Sequence, residues 1–233
     1  MDKKLENNYF AMPEHMGTHI DAPAHFSKDG WRTHQIPIEK LHGPGVIINV
    51  KSKVVNDPDY RVSVDNVLTW EEKHGEIPRH AVVLMNSGWS CHKYPNKTLI
   101  FATPHHEDAS EFHFPSWHEE TVTWLIAKRQ VIAVGADSPS TDYGQTKTFP
   151  CHVILGKNNL VGIENATNLD SIPENGSIVY IPVIKNFGGS GGPTRLLSTY
   201  DDEPNKRNAA MRVISTAIYI YLLQMITIFA YQF

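Results

Sequence analysis

Within the stretch His15-Met16-Gly17-Thr18-His19-Ile20-Asp21-Ala22-Pro23-Ala24-His25, every ionisable side chain falls on an odd position. Side chains two apart point the same way only in extended backbone. The stretch therefore reads as a strand that aims three imidazoles and a carboxylate at one side. His and Asp supply the nitrogen and oxygen donors that zinc, manganese and similar ions take. In a straight strand His15 and His19 would sit roughly 13 Å apart at Cα, too wide to share one ion. Gly17 permits the bend that closes the gap, and Pro23 ends regular pairing. A helix with His15 and His19 at i and i+4 is disfavoured by Gly17, Thr18, Ile20 and Pro23.

The chain around this motif has the size and composition of one globular domain. It has 233 residues, 41% of them hydrophobic and 20% charged. A net charge of −4 without a basic block excludes the usual electrostatics of nucleic-acid binding. Two cysteines, Cys91 and Cys151, form neither a disulfide framework nor a CxxC metal pattern. Thirteen histidines favour metal chemistry. No apolar run follows Met1-Asp2-Lys3-Lys4, so no secretory signal opens this chain, and a cytoplasmic location is the default expectation.

Hydrophobic patterning outlines the remaining elements. Tyr9 to Met12 can supply a short strand, Gly43-Pro44 a turn, and Val46 to Val50 a buried strand. Ser63 can cap a helix running to about His74. His80 to Met85 reads as a second apolar strand ending at Asn86-Ser87-Gly88-Trp89. Residues 91–118 are loop-like; their histidines (His105, His106, His113, His118) have no compact ligand spacing and read as exposed. Glu119 to Arg129 fits a helix with Val122, Leu125 and Ile126 inward. Val131 to Gly135 lacks polar residues and fits a strand buried on both faces. Asp137 and Asp142 follow it, either able to orient a ligand histidine through its free ring nitrogen, or to serve as turn carboxylates. Cys151 to Leu155 is expected as a short strand joined by a hairpin turn at Gly156 to Asn159 to the segment Leu160–Glu164, with Ser177 to Ile184 as another strand. Gly188 to Pro193 lacks the Gly-Lys-Ser/Thr of a phosphate loop and reads as a tight turn. Val213 to Tyr231 carries no charge for nineteen residues, which just reaches membrane-spanning length, so a tail anchor or a packed C-terminal element is expected there.

His-x-Gly-Thr-His-x-Asp-x-Pro-x-His resembles the motif of the metal-dependent cyclase family, which includes bacterial-type kynurenine formamidase and isatin hydrolase. Gly30-Trp31, Ile36-Pro37-Ile38-Glu39, Gly43-Pro44-Gly45, Ser87-Gly88-Trp89, Gly135-Ala136-Asp137-Ser138-Pro139-Ser140 and Ser190-Gly191-Gly192-Pro193 extend the likeness in the family's order. The similarity runs from about residue 9 to 198, leaving 199–233 as a C-terminal extension. It implies a single-domain α/β fold of the swivelling β/β/α type and a homodimer. Members of the family usually carry a longer segment before the motif, with an aromatic that walls the pocket, so the expectation is either a short gene model or a truncated form with an incomplete pocket.

The resemblance also supplies a site. His152 and Glu164 match the family's second His and Glu. With His15, His19 and Asp21 they would hold divalent metal, zinc or manganese, as two ions bridged by Asp21. His25 would pass a proton to a departing amine, since an imidazole near pKa 6.5 both gives and takes. Trp31 or Trp89 would stack on an aromatic substrate. The implied activity is hydrolysis of a small aromatic amide, N-formylkynurenine first, with a cyclic amide such as isatin as the alternative. A catalytically inactive metal- or ligand-binding protein is the third reading.

Overall fold

A computed structural model describes residues 5–90 and 93–201. The apolar stretch 213–231 lies outside them. Among the described residues ten strands form, in chain order: β1 (His19–Asp21), β2 (His42–Asn49), β3 (Arg61–Val62), β4 (Val82–Asn86), β5 (Ser116–Trp117), β6 (Ala133–Ala136), β7 (Val161–Glu164), β8 (Ser177–Tyr180), β9 (Gly191–Pro193) and β10 (Leu197–Tyr200). The helices are α1 (Lys51–Val54), α2 (Val64–His74), α3 (Lys97–Phe101), α4 (Glu119–Trp124) and α5 (Pro150–Lys157). Eight strands build one mixed sheet in the order β10-β8-β2-β4-β6-β7-β1-β9, and β3 pairs β5 separately. The architecture is the expected mixed α/β one. Among the described residues no helix is long and apolar enough to cross a membrane.

The parallel centre, β2-β4-β6-β7, is apolar on both faces because both are covered. Val46, Ile48, Val83, Met85, Val134 and Ala136 turn to one side, where Val67 and Trp70 of α2, Val122 of α4 and Leu155 of α5 meet them. Ile47, Val82, Leu84 and Ala133 turn to the other and pack with Ile20, Ile163, Val179 and Ile181. Trp117 is fully buried on the helical side, its Nε1–H donating to the Gly135 carbonyl at 2.9 Å.

Several local expectations are revised. Tyr9 to Met12 forms no strand; the segment is exposed and pairs with no sheet edge. Gly43 and Pro44 lie inside β2, opposite Val179 and Ile178, because Gly43 meets the His80 carbonyl where any Cβ would collide at 2.1 Å. Residues 91–118 are not all loop, since α3 and β5 fall there. The helix from Glu119 continues past Trp124 as a wide π turn, Leu125–Arg129. The strand expected over Ser177 to Ile184 ends at Tyr180, and part of the glycine-rich turn becomes β9. Cys151 to Leu155 is helical, and no hairpin joins it to β7. Pro150 occupies the first turn, where a missing N–H costs nothing. The Asp142 carboxylate then takes the exposed N–H groups of Cys151 (2.8 Å) and His152 (3.1 Å).

The register at the sheet's far side positions the motif. β1 runs antiparallel between β7 and β9, with His19 opposite Glu164 and Pro193, and Asp21 opposite Gly162 and Gly191. Asp21 thus has a glycine on each side. A Cβ at Gly162 would stand 3.3 Å from Asp21 Oδ2, and one at Gly191 would stand 2.4 Å from His15 Cε1 and 2.6 Å from the Ile20 carbonyl oxygen. The Gly191→Ala variant should therefore lose about 1–3 kcal/mol of stability in urea unfolding. A stability equal to that of the parent protein would contradict this packing.

Candidate metal centre

Gly17 takes φ +63°, the left-handed bend that lets the chain double back from His15 into β1. The reversal sets His15 beside His19, ring centroids 5.3 Å apart and edge to face. β1 then presents His19 and Asp21 on one face, β7 contributes Glu164, and α5 lowers His152 onto the group from above. All five side chains expected to act together are together. They form two groups whose donor atoms lie within 4.8 Å of one another: His15, His19 and Asp21, and Asp21, His152 and Glu164.

Asp21 belongs to both groups through different oxygens. Its Oδ1 lies 2.7 Å from His15 Nδ1 and 3.6 Å from His19 Nε2; its Oδ2 lies 3.0 Å from His152 Nε2. Glu164 spans them too, with Oε2 at 3.5 Å from His19 Nε2 and Oε1 at 3.0 Å from His152 Nε2. Two donors at about 2.1 Å from one ion, separated by 90–110°, stand roughly 3.0–3.4 Å apart. These spacings fit shared coordination. His19 Nε2 and Asp21 Oδ2 are buried yet make no hydrogen bond, despite the close His152 nitrogen. Such bare, converging lone pairs are costly without a cation.

The surrounding residues fix which nitrogen faces inward. His19 Nδ1–H donates to the Gly17 carbonyl at 2.9 Å, so Nε2 carries the lone pair. His152 Nδ1–H donates to Asp142 Oδ2 at 2.6 Å, again leaving Nε2 for the centre. Of the two aspartates expected as supports, Asp142 orients His152, a candidate ligand. Asp137 has another task, accepting from the backbone N–H groups of Ser87 (3.0 Å) and Trp89 (3.1 Å) and from the Ser87 hydroxyl. The Thr141 N–H steadies Glu164 Oε1 at 3.1 Å. Thr141 was not foreseen, since backbone donors leave no mark on side-chain spacing.

Proton affinities follow from this packing. Burial alone would raise the Asp21 carboxyl, but the close imidazoles of His15, His152 and His19 outweigh it and hold it well below the usual carboxylate range. Burial would lower His152, but its hydrogen bond to Asp142 and the neighbouring Asp21 and Glu164 carboxylates push it well above an ordinary imidazole. His19 is raised against its burial by Asp21 and Glu164. His25 goes the other way. Its edge opens to the cavity, yet it stacks 3.9 Å on His15; partial burial and the neighbouring imidazoles take it down to about 4 despite attraction from Asp21.

Two cavities open on the centre and meet at Glu164, Phe101 and Pro139. One, of about 360 Å³, is walled by Phe26, Phe101, Phe112, Phe114, Tyr143 and Phe149, with His25, His152 and Glu164 along its floor. The other, about 350 Å³, includes His15, His19, Tyr94 and Lys97. Neither expected tryptophan lines them. Trp89 is core, its Nε1–H donating to the Ile100 carbonyl at 2.8 Å. Trp31 packs against the apolar cluster on the opposite sheet face. The aromatic wall comes instead from phenylalanines, spread over segments with no sequence spacing to link them. The four histidines of 105–118 have other partners: His105 pairs with Glu111 and His113 with Asp59 (2.6 Å each), His106 with Thr98 (3.0 Å), and His118 accepts from the Glu120 N–H (3.3 Å).

Comparison with known proteins agrees with this geometry. Residues 2–143 match the family described as putative cyclase. Isatin hydrolase of Roseibium aggregatum is 29% identical over 200 residues, spanning 82% of this chain and 73% of that protein. Kynurenine formamidase of Salinibacter ruber is 26% identical over 187 residues, spanning 78% and 74%. The solved structure of isatin hydrolase A from Ralstonia solanacearum superposes with a TM-score of 0.77 at 32% identity, covering 83% of this chain and 74% of that one. With its matched motif lying across the metal-donor strand, this chain belongs to the putative cyclase family.

Proposed function

We propose that the chain is a metal-dependent hydrolase of an amide carried on an aromatic ring, and that a neutral cyclic amide of the isatin type is its first substrate. The observation that carries this reading is the pairing of a five-residue donor set with an aromatic cavity. His15, His19 and Asp21 would hold one divalent ion, and Asp21, His152 and Glu164 a second. Zinc and manganese both suit these donors. Bound there, a divalent ion supplies a Lewis acid for the carbonyl oxygen and brings water within reach of deprotonation near neutral pH.

The chain's own residues do the remainder. The phenylalanine wall takes the flat ring and excludes water from it. His25, neutral above about pH 4, accepts the proton of the attacking water at its exposed edge. It then hands that proton to the nitrogen as the C–N bond breaks. Because it starts neutral, His25 enters as the base and acts as an acid only once the attack has loaded it. Among the described residues, the aromatic cavity offers no cation besides its histidines and only Glu164 as an anion. A zwitterionic amino-acid substituent would find no matched partners there. Lys97 in the adjoining cavity supports N-formylkynurenine as the second reading, because it could meet a substrate carboxylate.

Isatin and N-formylkynurenine, assayed side by side, should give the larger kcat/KM with isatin; the reverse order would favour the formamidase reading. The Asp21→Ala variant should lose both ions by elemental analysis, since both groups share that residue. His25→Ala should keep its ions and lose about 10²–10⁴-fold in kcat; loss of metal would instead make His25 a ligand. Zinc affinity should also depend on pH. His19 and His152 hold their protons to higher pH than free imidazole, and an ion must displace them. Calorimetric affinity should weaken as pH falls, with the loss setting in above the pH at which free imidazole takes up its proton, by up to about tenfold per unit for each proton displaced.

A further inference from the structure

We infer that Glu14 and Ser190 are positioning residues that force His15 to offer its Nδ1 atom to the metal, where His19 and His152 offer Nε2. The inference rests on the metal-centre reading above. It comes from following donors and acceptors outward from the site.

Ser190 Oγ lies 2.7 Å from Glu14 Oε2, and the Ser190 backbone N–H donates to that same oxygen at 2.9 Å. Asn186 Nδ2 donates to the other carboxylate oxygen at 2.7 Å. A carboxylate has no proton to give, so the Ser190 hydroxyl hydrogen goes to Glu14. Were it directed elsewhere, two oxygen lone pairs would face each other at 2.7 Å. The hydroxyl is then only an acceptor towards its remaining neighbour, His15 Nε2, at 3.0 Å. That nitrogen must therefore carry a hydrogen. The ring's other nitrogen, Nδ1, is left facing Asp21 Oδ1 at 2.7 Å, inside the donor group.

The backbone holds this relay rigidly. Ser190 is tied to β1 through its carbonyl, which accepts from the Ala22 N–H at 2.9 Å. Thr33 pins the same turn through Asn186 and the Gly189 carbonyl. Gly191 keeps the space beside the His15 ring open. Glu14 thereby sets the tautomer of a ligand two hydrogen bonds away, without touching metal or substrate.

The test uses the full-length chain, uniformly ¹⁵N-labelled and loaded with zinc. Two-bond ¹H–¹⁵N correlations of the imidazoles report which nitrogen is protonated, with His15 assigned from the spectrum of His15→Gln. The expected result is a protonated Nε2 and a zinc-bound Nδ1 at His15, against protonated Nδ1 and zinc-bound Nε2 at His19 and His152. Ser190→Ala and Glu14→Ala should mix the His15 tautomers and weaken zinc binding ten- to a hundredfold by calorimetry. Glu14→Gln, whose carbonyl can still accept the hydroxyl hydrogen, should retain the parent pattern. A zinc-bound Nε2 at His15 would overturn this inference while leaving the metal centre intact, as would unchanged tautomers in Ser190→Ala. No zinc uptake by the parent chain would overturn the centre and this inference with it.

Discussion

The structure depends on how one carboxylate is kept ionised inside a sheet. Asp21 is 5% exposed and sits in the middle strand of the β7-β1-β9 trio. An isolated buried charge costs several kcal/mol. Here both oxygens face imidazole nitrogens, and the flanking glycines make the approach possible. A side chain at Gly162 would press on the carboxylate, and one at Gly191 would displace the His15 ring. The edge of the fold and the centre of the chemistry are thus the same few atoms.

From that carboxylate outward, each donor is oriented by a partner of its own. Asp142 illustrates how two jobs combine. It caps α5 through the N–H groups of Cys151 and His152, and the same Oδ2 takes the His152 ring proton. Helix start and ligand orientation cannot be changed independently. The Gly17 carbonyl plays the matching part for His19 from the turn that leads into β1. Donors held in this way lose little rotamer freedom when an ion arrives, which favours tight binding.

What the sequence made legible is what local periodicity encodes. The odd-position spacing of His19 and Asp21 gives their common face, Gly17 gives the bend, and the apolar runs of β2, β4 and β6 give a sheet covered on both sides. Non-local partners were invisible. Cys151-His152-Val153-Ile154-Leu155 has the β-branched character of a strand, and the Asp142 carboxylate that makes it a helix comes from the preceding loop. Gly43-Pro44 has the residues of a turn, but the crowding of the His80 carbonyl against β2 makes the glycine a strand residue. His152 and Glu164 stood out only through family resemblance, because their meeting depends on α5 lying over β7. Glu14 and Thr141 left no signal, since nothing in their own neighbourhood marks them, and Ser190 stood out only as part of a family motif, with no sign of its link to Glu14 and His15.

The two parts of the site draw on different parts of the chain. Four of the five donors come from β1, its entry turn and β7, whose register is locked by direct pairing, and the fifth from a capped helix. The aromatic wall comes from elsewhere: Phe101 from the end of α3, Phe112 and Phe114 from the segment between α3 and β5, and Tyr143 and Phe149 from the loop before α5. Connecting segments tolerate change that a paired strand does not, because a one-residue slip in the strand would turn Asp21 to the opposite face. Substitutions in the wall can therefore alter which ring fits while the donors stay in place. The exceptions are Phe26, one residue beyond His25, and Phe149, whose ring centroids lie 4.6 and 5.9 Å from that of His152. They join the wall to the donor set, so a change in pocket shape at either position also presses on a candidate metal donor.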